Sequence, residues 1–291
     1  MAENPSGGPA LYPISTVADR TGLSVPTLRQ WENRYGFPDP QRTEGGHRRY
    51  TETDIQALLT VCSWVEDGAS PSAAIDRLSE VADEGEADRR RLAGELAAAL
   101  LDRDRERAAR VYSRGQTMHA LSPFLEEVVR PALDRVGEAW RKDAVDVADE
   151  HFATAFIESQ LHSLLASHPS SSDPDVIVTT LPDERHELGA LSLVLVLRSH
   201  GLDAAFLGAD TPLSDLAGFV DDQGVEAVAI SAPRREPVMA LEAGALAGIA
   251  PAVFVGGAAA EADPDLVEDR GAIPVEADLS GVARRIARRL L

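Results

Sequence analysis

Cysteine is nearly missing from this 291-residue sequence, where Cys62 stands alone. One thiol excludes intramolecular disulfides and any thiolate metal cluster within a chain. Lysine is as rare. Lys142 is the only one, so almost all positive charge is arginine, a usage that points to a GC-rich or salt-adapted source. Positive charge itself is short: 28 basic against 48 acidic residues give a formal net charge of −20. An acidic surface repels phosphates, so nucleic-acid binding requires an asymmetric charge distribution. No apolar run reaches the length of a membrane span, and no membrane partner is expected. The opening MAENPSGGPALYP has neither the basic region nor the apolar core of a secretory signal, so a cytoplasmic location is expected.

What is present is a chain with enough apolar residues, 44%, to build more than one core. Residues 1–10 are rich in Pro, Gly and Ser and read as a disordered tail. Residues 11–78 read as short helices separated by turn signals, and residues 79–168 as helix after helix. Pro169 to Pro174, PSSSDP, is a linker. In residues 175–291 the texture changes. DVIVTTL, DAAFLG, VEAVAIS and AVFVGG are short β-rich runs separated by helical segments, the alternation of a parallel α/β sheet.

Within residues 11–78, STVADRTG predicts a short helix capped by Ser15 and ended by Gly22. Ser24 caps a second helix, VPTLRQWENRYG, with Pro26 in its first turn. Two helices joined by a tight Gly-containing turn form a helix-turn-helix whose second member reads DNA. Thr27, Arg29, Gln30 and Arg34 are polar and suit the major groove, while Leu28 and Trp31 suit the core. QRTEGGHRRY reads as a hairpin wing turning at Gly45 and Gly46. It supplies Arg42, His47, Arg48, Arg49 and Tyr50, a basic patch suited to phosphates. This stretch resembles the winged-helix domain of MerR-type regulators. The resemblance implies DNA contacts from Thr27, Arg29, Arg34, Tyr35, Arg42, Gly46, His47, Arg48, Arg49 and Tyr50. Metal-sensing members carry cysteines after a long helix, and none stands here.

In the α/β part, ligands are expected beyond the carboxyl ends of the strands. His186 lies there, three residues before Gly189. ERHELG is similar to the cobalamin-binding motif Asp-x-His-x-x-Gly, with Glu184 in the acidic position. The resemblance implies that His186 ligates cobalt from below in place of the cofactor's own base, and that Glu184 orients its ring. Ser231, after VEAVAI, and Gly256-Gly257, after AVFV, occupy the places that line the slot for the cofactor's nucleotide tail in that family. Glycine there lets a bulky ligand approach the backbone. Pro233 stands where the family pattern has Leu.

The helical region holds VGEAWRKDAVDVADEHF. Asp146 is placed to cap a helix starting at Val147, and Trp140 ends the helix before it. The gap between them brings Trp140 near Glu150 and His151 at one end of a bundle. Trp-x9-Glu-His resembles the helical cap of the CarH/LitR family, MerR-type light-sensing regulators with an adenosylcobalamin chromophore. The resemblance implies an adenosyl pocket made by Trp140, Val147, Glu150 and His151, with Trp140 supplying a large stacking face. One position departs from the family's photosensors. Arg141 follows Trp140 where they have His, and a guanidinium cannot ligate a metal. His151 or water is left for cobalt's upper position. Glu158 and His162, an i, i+4 pair, read as plain surface, and Met118 and His119 lie in the bundle and face the cofactor or nothing. The run Asp83 to Arg91 reads as a solvated connector, and VARRIARRLL reads as an amphipathic helix whose arginines pair with carboxylates.

The expected protein is therefore multidomain. It has an all-α winged helix-turn-helix, a four-helix-bundle cap and a Rossmann-like, flavodoxin-type α/β domain. By the resemblance it is a light-dependent transcriptional repressor and not an enzyme, a tetramer on promoter DNA in the dark. A regulator that answers to cobalamin level, or ignores it, is the alternative. A corrinoid methyl-carrier protein is the alternative from another class.

Overall fold

The computed structural model describes residues 11–290 except 44, 143, 168, 172, 276 and 277. The expected tail, residues 1–10, lies outside the described residues. The chain divides into two compact units, Met1–Asp88 and Arg89–Leu291.

The first unit is built on α1 (Ile14–Thr21), α2 (Val25–Tyr35), the two-residue strands β1 (Gln41–Arg42) and β2 (Arg48–Arg49), and α3 (Glu52–Glu66). Gly22 ends α1 in the left-handed region at φ 73, as its lack of a Cβ allows. The N-cap of α1 is Pro13 with no side-chain cap, so Ser15 lies inside the helix instead of capping it. Ser24 does cap α2, its Oγ accepting from the Thr27 N–H at 3.1 Å. Thr51 and Asp54 form a reciprocal capping box at α3. Val17, Leu28, Trp31, Tyr50, Ile55 and Leu58 close the core.

α4 (Pro71–Leu101) is one 31-residue helix that runs across the expected boundary at 78/79. The stretch Asp83 to Arg91, read as a connector, is part of it. Its second half enters a helical bundle with α5 (Arg105–Met118), α6 (Leu121–Phe124), a π-helical turn (Leu125–Val129), α7 (Arg130–Arg141) and α8 (Val147–Ser167). Leu92, Leu96, Leu100, Phe124, Phe156 and Leu161 fill its core.

The rest alternates strand and helix: β3 (Val176–Thr180), α9 (Leu188–Ser199), β4 (Ala204–Gly208), α10 (Leu213–Gln223), β5 (Ala227–Ser231), α11 (Arg235–Ala240), β6 (Ala252–Gly256), α12 (Ala258–Ala262), α13 (Pro264–Asp269), β7 (Ile273–Pro274) and α14 (Leu279–Leu290). The sheet is parallel with order β4-β3-β5-β6-β7, the flavodoxin-type order. β3 is buried along its whole length: Val176, Ile177 and Val178 read as an apolar run, and the buried hydroxyls of Thr179 and Thr180 donate to the Gly208 and Glu184 carbonyls. The edge strand β7 escaped the sequence reading because it is two residues long and half proline.

Candidate functional site

The strand order reverses between β3 and β5, and a ligand crevice forms at such a switch point. Register aligns the expected residues there. Thr180 pairs with Ser231, and Ser231 with Gly256, so the carboxyl ends of β3, β5 and β6 lie in one row. His186 follows β3 in the loop to α9.

Glu184 is fully buried beneath this row. Its Oε1 lies 2.6 Å from His186 Nδ1 and accepts the His186 main-chain N–H at 2.9 Å. Its Oε2 accepts from Arg234 Nε at 2.9 Å. Burial pushes this carboxyl up, but the His186 and Arg234 hydrogen bonds outweigh it and hold the group below the usual range. An ionised Glu184 can only accept, so Nδ1 is the donor in this contact, and in a neutral imidazole that arrangement leaves the lone pair on Nε2. The His186 side chain is 66% exposed and lines a cavity of about 380 Å³.

That cavity runs between α9, α14 and the ends of β5 and β6, with the π-helical turn and α7 on its other side. His186, Gly189, Ser231, Gly256 and Gly257 all line it. The glycines serve this chain's own packing. A Cβ on Gly189 would lie 2.7 Å from Ser231 Oγ, and one on Gly256 would lie 2.9 Å from Val275 Cγ2. Gly257 has φ 104, and a Cβ there would lie 2.8 Å from the Ala232 carbonyl oxygen. The residues fit a corrinoid: one imidazole oriented through Nδ1, beside a mostly apolar cavity lined by glycines at the strand ends.

The cap residues stand elsewhere. Trp140, Val147, Glu150 and His151 do not line the cavity. Trp140 is 46% and Val147 52% exposed, at the end of α7 and the start of α8. Glu150 accepts from Thr154 Oγ1 at 2.9 Å and lies 3.7 Å from His151. No hydrogen bond or ring contact joins Trp140 to either of them among the described residues. α8 starts at Val147 as expected, and Asp149 secures the start. Its carboxylate accepts the Asp146 N–H at 3.0 Å and pairs with Arg103. His162, read as a surface residue, reaches Glu187 at 2.9 Å, next to His186. Arg234, Asp149 and Arg103 went unnoticed in the sequence, because nothing local marks a pair of charges dozens of residues apart.

In the first unit, Arg29, Gln30 and Arg34 are exposed on one face of α2 and line a shallow depression with Pro26 and Asn33. Thr27 is half-buried, its hydroxyl 2.7 Å from that of Ser24. Arg34 stacks on Tyr35 at 5.4 Å. In the wing, Gly46 turns at φ 74 and its N–H donates to the Thr43 carbonyl. His47 is exposed. Arg42 and Arg48 both pair with Glu32 of α2, while Arg49 has no acidic partner among the described residues and donates to the Arg48 carbonyl. Tyr50 is a correction. Its side chain is fully buried in the core and its main chain pairs with Tyr12, so it supports the wing from beneath and its hydroxyl cannot reach a phosphate.

Comparison with known proteins agrees with this division. Residues 12–81 match the model of the MerR HTH family regulatory protein. Residues 92–164 and 174–278 match two models, each described as a B12 binding domain. The chain is 32% identical to the HTH-type transcriptional repressor CarH of Myxococcus xanthus, over 88% of this chain and 92% of that protein. It is 31% identical to the repressor CarA of the same organism, over 75% of each. Among solved structures, a monomethylamine corrinoid protein of Methanosarcina barkeri superposes with a TM-score of 0.54 at 13% identity. It covers 67% of this chain and 96% of its own, a likeness of fold alone.

Proposed function

Because the chain belongs to the MerR-type transcriptional repressors that carry cobalamin-binding domains, we propose that it is a light-dependent repressor with adenosylcobalamin as its chromophore. The observation that carries this reading is the buried Glu184 oriented on His186 at the mouth of the cavity. When bound, the cofactor supplies a cobalt–carbon bond that light cleaves. His186 would hold the cobalt through Nε2, with Glu184 keeping its ring in place. Gly189, Ser231, Gly256 and Gly257 receive the nucleotide tail.

The cap serves the upper face. Trp140 packs on the adenosyl group, Glu150 reaches its sugar or base, and Val147 and His151 complete the pocket. Covered in this way, the cap favours assembly of dimers into a tetramer that grips promoter DNA through several half-sites. Thr27, Arg29, Arg34, Tyr35, Arg42, Gly46, His47, Arg48 and Arg49 make the contacts. Light uncovers Trp140 and Val147, the cap shifts, and the assembly separates. In linkage terms, the dark oligomer is the state with the higher affinity for intact cofactor. The reading is of a regulator and not of an enzyme.

The test is an absorbance spectrum of the full chain with adenosylcobalamin before and after green light, with oligomeric state and operator binding followed in parallel. We expect a stable dark spectrum, a change on illumination, and loss of assembly and DNA binding. A spectrum that changes while assembly and binding persist would leave the second reading, a sensor of cobalamin level in the dark. Arg141 after Trp140 is the observation that favours it. A corrinoid methyl carrier shares the fold, but it has no use for a recognition helix and an arginine-bearing wing.

A further inference from the structure

The loop carrying His186 is clamped by two other loops. Asp183 sits at φ 62, and Asp210, in the loop after β4, at φ 55. Residues with a Cβ adopt this region at a cost, and the surrounding structure must hold them there. Both main-chain polar groups of Asp183 are held. Its N–H donates to Asp210 Oδ1 at 2.7 Å, and its carbonyl accepts from Arg234 Nη2 at 2.5 Å. Arg234, in the loop after β5, also donates Nε to Glu184 Oε2 at 2.9 Å. The Glu184 carbonyl accepts from Thr180 Oγ1 at 2.5 Å and from the Asp210 N–H at 3.0 Å. Neither Arg234 nor Asp210 lines the cavity; their contacts are with the 183–184 main chain and the Glu184 carboxylate.

We propose that Arg234 and Asp210 are positioning residues for the axial histidine, holding the 183–186 loop so that His186 presents Nε2 to cobalt. The proposal rests on the reading of His186 as the ligand. Arg234 acts with a two-pronged guanidinium. One prong occupies the carboxylate oxygen that His186 leaves free, and the other fixes the strained residue just before it. Without Arg234, Glu184 would keep a buried, unpaired oxygen and could turn away from the imidazole.

The test uses the full chain and the variants Arg234→Met, Arg234→Lys, Asp210→Gly and His186→Ala. Each is prepared with ¹⁵N-histidine and loaded with cob(II)alamin, whose electron paramagnetic resonance reports a protein imidazole on cobalt. Amide hydrogen exchange of the cofactor-free chains follows the His186 N–H. We expect Arg234→Met and Asp210→Gly to weaken cobalamin binding by about 10–100-fold. Both should lose histidine coupling on cobalt and speed exchange at His186. Glycine accepts φ 55, so Asp210→Gly removes the carboxylate contact to the Asp183 N–H without adding strain. Arg234→Lys should be intermediate, because an ammonium restores the charge at Glu184 but not the fork onto Asp183. Should Arg234→Met fail to fold, Arg234→Lys and Asp210→Gly carry the same readings. Wild-type affinity, coupling and exchange in the Arg234 and Asp210 variants, with coupling abolished in His186→Ala, would overturn the proposal. Absence of histidine coupling in the wild-type chain would instead overturn the ligand reading on which it stands.

Discussion

Individual side chains in this protein are often decided by one neighbour. Tyr112 is buried in the bundle, edge-on to Phe124 at 5.0 Å and Phe156 at 6.4 Å. Its hydroxyl has no hydrogen-bond partner among the described residues. Burial pushes the phenol up from 10.0 to about 12. A buried hydroxyl without a partner is a net cost, so Tyr112→Phe should be neutral or stabilising by about 1 kcal/mol in urea unfolding at neutral pH. The raised phenol means the folded state resists ionisation. Its contribution is fully present below pH 10 and is lost as pH rises towards 12. The variant should therefore keep more of its stability than the wild type across that window, and parallel alkaline unfolding of the two would contradict this. Charge partners discriminate among the wing arginines in the same manner. Arg48 is already paired with Glu32, whereas among the described residues Arg49 donates to the Arg48 carbonyl alone. Arg49→Ala should reduce the slope of log affinity against log salt by about 0.9, the value of one phosphate contact. Arg48→Ala should reduce it less. Titration of an operator duplex at several salt concentrations separates them.

At the level of elements, strand ends and helix starts place the chemistry. The β5–β6 edge closes on two glycines with different tolerances. At Gly257 a Cβ would meet the Ala232 backbone at a left-handed φ, whereas at Gly256 it would meet the movable end of Val275. Gly257→Ala should cost about 1–3 kcal/mol, the range of a strained backbone position, and Gly256→Ala less. Equal losses in chemical unfolding would show that crowding, and not backbone strain, governs this edge. The start of α8 shows the same logic, since Asp149 pins it through the Asp146 N–H and Arg103. That contact fixes the turn on which Val147, Glu150 and His151 are carried. The π-helical turn at Leu125–Val129 re-aims Leu125, Glu126 and Val129 into the cavity wall, a common use of such a turn at functional sites.

For the molecule as a whole, charge is divided as DNA binding requires. Residues 11–78 hold 7 arginines against 9 acidic residues, so they carry −2 of the total −20. The remaining negative charge lies outside residues 11–78, where it limits nonspecific attachment to nucleic acid. The exposed Trp140 and Val147 leave apolar surface at one end of the bundle. On the proposed reading, Trp140→Ala should retain cobalamin binding, since it removes no cobalt ligand, yet uncouple it from assembly. Light scattering of the dark, adenosylcobalamin-loaded variant should show no tetramer. A dark tetramer in that variant would place the link between cofactor and assembly elsewhere.

Sequence alone determined those features whose causes are local. Helix-turn-helix punctuation, the Glu-x-His-x-x-Gly loop, the strand–helix alternation and the start of α8 depend on residues within a few positions of one another. Fully buried parallel strands also announce themselves as apolar runs. Tertiary structure decided what depends on distant partners. Arg234 lies 50 residues from the Glu184 it clamps, and Arg103 lies 46 from Asp149. Tyr50 looked like one more member of a basic wing until packing turned it into the core. No turn marks the expected 78/79 boundary, because Pro71–Leu101 is one continuous helix, and the two compact units divide within it at Asp88 and Arg89. The glycines at the strand ends were legible as glycines, but their cause, contact with Ser231, Val275 and the Ala232 backbone, exists only once β5, β6 and α9 are packed. Pairing across loops leaves no period or spacing in a sequence, because the fold, and not the chain, brings the partners within reach.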